Sequence, residues 1–167
     1  STAAATDFLI NRTQTAVGSG LQYLIDAQVG STSQFKVSNA GNVIVTGRQF
    51  EKRTQSSEAT DSNVTYTATQ VLNGIIDRSN MSANRVDAFP TAANLVAAIP
   101  GCIVGTSFDL LINNNDTAQT LTVNGASTGI TYEGTATALA AAEARLFRVI
   151  ITNVTGAAEA ATVYQVV

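Results

Sequence analysis

Two features of this 167-residue chain predict a mainly β fold: short apolar runs with a period of two, and turn residues set between them at short intervals. The arrangement is an N-terminal β-arm with a small meander or hairpin. It is followed by a jelly-roll-like β-sandwich with one or two short helices. Residues 1–50 read as the first part, 51–63 as a linker and 64–167 as the sandwich.

The leader Ser-Thr-Ala-Ala-Ala-Thr has no periodic apolar face, so a partner is expected to order it. Leu21, Tyr23, Ile25 and Ala27 then alternate at strand period, and Gly30-Ser-Thr-Ser breaks the run. Phe35 and Val37 alternate again, Asn39-Ala-Gly-Asn42 is a turn, and Val43 and Val45 complete a hairpin. Three such strands form a sheet too thin to cover its own apolar side chains. Leu21, Tyr23, Ile25, Phe35, Val37, Val43 and Val45 are therefore candidate oligomerisation residues, and the chain is expected to associate with copies of itself. Residues 51–63, polar and without period, read as the connection.

In the second part, Thr67-Ala-Thr-Gln70 matches a capping box, and Gly74 is a natural helix stop. A second short helix is expected over Thr91 to Ile99, ended by Pro100-Gly101. From Ser107 onward strands follow one another. Phe108, Leu110 and Ile112 alternate, as do Leu121 and Val123, then Ile130 and Tyr132. Leu146 to Val154 is apolar on both faces, and Val163 to Val167 closes the chain. The aromatics Phe89, Phe108, Tyr132, Phe147 and Tyr164 mostly fall at positions that read as core. Thr135 to Arg145, rich in alanine, has the local propensity of a helix.

Composition narrows the chemistry. Charged residues make up only 13% of the chain, against about 25% in a typical soluble domain. A surface of Thr, Ser, Asn and Ala suits packing against copies or a lattice. There is no histidine, the usual general base and commonest transition-metal ligand. The single cysteine, Cys102, has no disulfide partner and reads as a small buried hydrophobe. No cofactor and no metal are expected. The N-terminal residues lack the pattern of a secretory signal, and no run approaches the ~20 apolar residues of a membrane span. Five N-x-S/T sequons, at Asn11, Asn63, Asn80, Asn115 and Asn153, are expected by chance in so Asn- and Thr-rich a chain. Residues 1–53 carry a net charge of +2 and residues 54–167 a net −5. The basic residues are too scattered for a nucleic-acid surface, and the opposed signs suit a chain whose ends face different neighbours.

Catalytic constellations are equally sparse. The acidic residues Asp77, Asp87, Asp109, Asp116, Glu133, Glu143 and Glu159 stand singly, with no spacing that pairs two as acid and base. Gly18-Ser-Gly20 and Gly101 to Gly105 lack the lysine of a phosphate loop and read as turns. Asn113 to Asp116 reads as a polar turn and not as a calcium loop. Arg78, Arg85 and Asp87 form the densest charged group. They are expected to act as a structural arginine–carboxylate clamp that fixes the loop before Pro90.

Gly74 to Pro100 (GIIDRSNMSANRVDAFPTAANLVAAIP), taken with Arg145 to Gly156 (RLFRVIITNVTG), resembles a β-sandwich domain that recurs in structural proteins of tailed-phage virions. The resemblance spans roughly the last hundred residues. It implies a loop and strand entry at Thr135 to Arg145, against the helix propensity there. It also implies a structural or intersubunit role for the arginine-rich loop. Phe35 to Gly47 (FKVSNAGNVIVTG) further resembles short β-units of phage fibres and appendages, in which three chains meet on a three-fold axis. The implied function is non-enzymatic: a trimeric capsid decoration (cement) protein on the outer capsid surface of the virion. It would be bound to the major capsid protein through its N-terminal region, with no nucleic-acid or membrane partner. The alternative is a short head or tail fibre, or an adaptor, whose sandwich binds a host surface glycan.

Overall fold

The computed structural model describes residues 22–38, 42–46 and 52–166. The leader, Leu21 and residues 39–41 of the expected turn lie outside the described residues. The chain divides into two units between Glu51 and Lys52.

The first unit is an antiparallel sheet of β1 (Tyr23–Val29), β2 (Thr32–Ser38) and β3 (Val43–Val45), in that order. Gly30 and Ser31 both take positive φ, the conformation that matches a two-residue hairpin to the right-handed strand twist. The ladders set Ile25, Val37 and Val43 in one cross-strand row, and Ala27, Phe35 and Val45 in the next. Residues directly opposed across antiparallel strands share a face, so these six form one apolar block. The row between them, Asp26, Lys36 and Ile44, points the other way. A bulge between Tyr23 and Ile25 turns Tyr23 onto that second face, where Lys36 Nζ lies 4.4 Å from its ring centre. Among the described residues of this unit only Ser38 is buried. It closes the β2–β3 connection: its N–H donates to Asn42 O (2.9 Å), and its Oγ accepts from Asn42 N (3.0 Å).

The second unit is built on a six-stranded mixed sheet. Its strands are β4 (Thr54–Glu58), β5 (Gly74–Arg78), β7 (Ser107–Asn114), β10 (Glu143–Asn153), β11 (Ala160–Val166) and β9 (Ile130–Glu133), in spatial order β4-β5-β7-β10-β11-β9. A two-stranded sheet pairs β6 (Arg85–Asp87) with β8 (Leu121–Val123), and two helices, α1 (Ala68–Leu72) and α2 (Ala92–Ala98), complete the unit. Thr67 caps α1: its side chain accepts from Gln70 N–H, while Gln70 Oε1 accepts from Thr67 N–H at 2.8 Å. Gly74 ends the helix at φ +86°, where a β-carbon would also crowd the Arg53 side chain at 3.3 Å. Thr91 caps α2 by accepting from Asn94 N–H.

The core lies on one side of the large sheet. Ile76, Leu110, Ile112, Phe147, Val149, Ile151, Ala161 and Val163 face inward against Val71, Leu95, Leu121, Val123 and Leu139. Phe89 fills the centre, in contact with Tyr132 and Phe147 at ring separations of 6.1 Å each. Tyr132 satisfies its hydroxyl by accepting from Phe89 N and donating to Gly125 O, both at 3.1 Å. The opposite side of the sheet contributes no side chain to this core.

The mainly β class with two short helices is as the sequence predicts, and Thr135 to Ala142 is loop leading into β10. Several details differ. The stretch read as a linker carries β4, which pairs in parallel with β5, so this unit begins at Lys52 and not at Val64. Thr54-Gln-Ser-Ser is an edge strand with little buried surface and hence no apolar alternation to betray it. Four pairings (β4–β5, β5–β7, β9–β11 and β6–β8) are parallel, where a jelly roll is antiparallel throughout. Tyr164 sits on the outer side of the sheet, 41% exposed, and not in the core. Cys102 is only partly buried, at the margin of the core.

Candidate functional site

Arg78 is the last residue of β5 and points to the inner side of the sheet, beside Asn114 of β7. Asp87 ends β6, and the two side chains meet with neither reaching solvent: Arg78 Nε donates to Asp87 Oδ2 at 2.8 Å. Three of the four other guanidinium hydrogens reach backbone oxygens of Ser62 (2.7 Å), Ser79 (3.0 Å) and Glu58 (3.5 Å). Asp87 accepts further from the Tyr66 hydroxyl (2.8 Å) and from Val64 N–H (3.0 Å). Burial, then the negative charge of Asp87, pushes the Tyr66 hydroxyl far above its ordinary value, so it stays a donor. One arginine thus ties the end of β4, the 59–66 connection, β5 and β6 together.

Arg85 is not part of that cluster. Its guanidinium pairs with Asp61 and donates to Ser82 Oγ at 3.2 Å. Asp61 accepts from Ser82 N–H at 2.8 Å. That bond, then the Ser82 hydroxyl and Arg85, holds its carboxyl well below the usual range. Of the three residues grouped by sequence, the fold joins Arg78 to Asp87 and gives Arg85 a different partner. Tyr66, which completes the buried cluster, lies outside that group.

Four other carboxylates, Asp77, Asp109, Asp116 and Glu143, have structural partners. Asp116 accepts from the backbone N–H groups of Gln119, Ala118 and Met81 (3.0, 3.0 and 2.9 Å), which lower its pKa and occupy the oxygens a cation would need. Asp77 accepts from the side chains of Asn113 (2.6 Å) and Asn115 (3.2 Å). Asp109 forms a two-bond pair with Arg148 at 2.8 and 2.9 Å, and Glu143 pairs with Arg145. Among the described residues, no three Asp, Glu, Cys or His side chains are grouped as a metal would require.

The apolar block of the first unit is the other candidate. Ile25, Phe35, Val37, Val43 and Val45 share its face, and Val43 is 63% exposed. Tyr23 lies on the opposite face, and Leu21 is outside the described residues. Leaving such a one-sided block in water costs on the order of 1 kcal/mol for each large side chain left half exposed. No family model, curated protein or solved structure matches this chain.

Proposed function

We propose that this chain is a non-enzymatic structural protein of a virion: a capsid decoration (cement) protein that trimerises through its first unit and binds the outer capsid surface. The observation that carries the reading is the apolar block of β1–β3. Five of its six side chains are exposed and Val37 is half-buried, in a unit whose described residues bury no apolar side chain. A three-stranded sheet of this kind gains a core when copies bring the same faces together. The Gly74–Pro100, Arg145–Gly156 and Phe35–Gly47 resemblances supply the virion context and the three-fold symmetry.

The buried Arg78–Asp87 cluster, which ties three strands together, fits a scaffold. The test is addition of the purified protein to undecorated capsids. Saturable binding at fixed lattice positions and a higher capsid melting temperature are expected. Absence of binding to capsids, with a folded protein, would overturn the reading.

A further inference from the structure

The outer side of the six-stranded sheet, which adds no side chain to the core, carries an apolar row of its own. Ile75, Leu111, Leu146 and Val166 are directly paired across β5, β7, β10 and β11, forming one unbroken apolar row perpendicular to the strands. None belongs to the core cluster, and Val166 is 39% exposed. In the next row Asp109 and Arg148 stand opposed on β7 and β10 and neutralise one another.

The row has a symmetry of its own. The strand order β4-β5-β7-β10-β11-β9 has its midline between β7 and β10. A two-fold axis along that midline, in the plane between two stacked sheets, places Leu111 over Leu146 of a second copy and Ile75 over Val166. The same operation sets each Asp109 against the Arg148 of the other copy, so the charges complement instead of repelling.

We infer that this face is a two-fold contact surface whose occupant is the same face of a second copy of this chain. Aligned packing of sheets about 10 Å apart is the geometry required. Six strands at ~4.8 Å spacing, with central strands of about eight residues, give a face of roughly 25 Å by 25 Å. Two such faces together cover about 1,200 Å², the lower bound of a specific interface. The inference is independent of assembly through the first unit, which supplies a three-fold contact.

The test is sedimentation of the full chain at tens of micromolar, compared with Leu146→Glu. The variant should sediment as the three-chain species held by the first unit alone. A Phe35→Glu change should instead leave the two-chain species, so failure of either contact is told apart from failure of the other. An unchanged mass for a Leu146→Glu chain with wild-type circular dichroism would overturn the inference.

Should that variant not fold, Leu111→Cys and Leu146→Cys are made separately in a Cys102→Ser background, which leaves no other thiol. On oxidation of a 1:1 mixture, the disulfide between the two different variants should exceed both self-linked products by several fold. A statistical mixture of the three products, or no interchain disulfide, would overturn the inference equally.

Discussion

Replacing Asp87 with Ala removes the carboxylate that, among the described residues, forms the salt bridge with the buried Arg78 guanidinium. It also strands the Tyr66 hydroxyl and the Val64 N–H. Arg78 keeps three backbone carbonyls, but these offset only part of a full charge held out of water. Breaking a fully buried pair from one side costs about 3–5 kcal/mol. For a cooperative unit of ~115 residues, whose unfolding entropy is about 0.24 kcal/mol/K, this lowers Tm by about 12–20 °C. The assay is thermal unfolding followed by circular dichroism, with a denaturant series to supply the free energy. Arg78→Met in the Asp87→Ala background should be strongly non-additive, because the second removal takes away the stranded charge. A drop of less than about 3 °C for Asp87→Ala, with additive effects in the cycle, would refute the argument that this pair is what ties β4, β5 and β6 together.

Four further outcomes are expected. Asp26, Glu58, Asp61, Asp109, Asp116 and Glu143 all titrate below their ordinary values of 3.8 (Asp) and 4.5 (Glu). Their stabilisation is therefore complete above about pH 5 and is lost as pH falls through the lowered folded values. With no histidine, stability measured by denaturant titration should be flat from about pH 5 to 8. The raised Tyr66 hydroxyl has the opposite sign: stability declines as pH rises above 10, the ordinary tyrosine value, and Tyr66→Phe should lessen that decline. Gly129→Ala should cost roughly 2–4 kcal/mol in chemical unfolding, because φ is +75° and the new β-carbon would sit 2.4 Å from Glu159 O. Deleting residues 1–20 should leave the melt of the second unit unchanged while weakening binding to undecorated capsids. Undiminished saturation would place the capsid contact elsewhere.

Periodicity made the inward face legible. Phe108, Leu110 and Ile112 alternate because one side of β7 is core, and the Thr67 and Thr91 caps mark both helices to within a residue. The edge strand β4 was hidden because Thr54-Gln-Ser-Ser is held mainly by backbone pairing, which leaves no trace in side-chain pattern. Parallel ladders were hidden for a related reason: strand periodicity reports which side is buried, not which way a neighbour runs. The site was half legible. A charged pair near Pro90 could be expected from composition, but Arg78 and Arg85 are the same residue type, and the one nearer to Asp87 in sequence is not its partner. Only the sheet register, which turns Arg78 inward beside Asn114, decides between them. The outer apolar row left one signal, the doubly apolar run of β10, whose Leu146 and Ile150 have no place in the core.

Assembly through the apolar face of β1–β3 is the central claim, and sedimentation of the full chain beside its Phe35→Glu variant tests it most directly. Phe35 lies in the middle strand, flanked by Ala27 and Val45, so a carboxylate there would be buried at any contact between these faces. The account predicts that the wild-type mass is a multiple of three chains and that the substitution abolishes the three-fold species, without loss of the second unit's melt. A wild-type chain that sediments as a monomer at micromolar concentration, or a Phe35→Glu chain of unchanged mass, would contradict it.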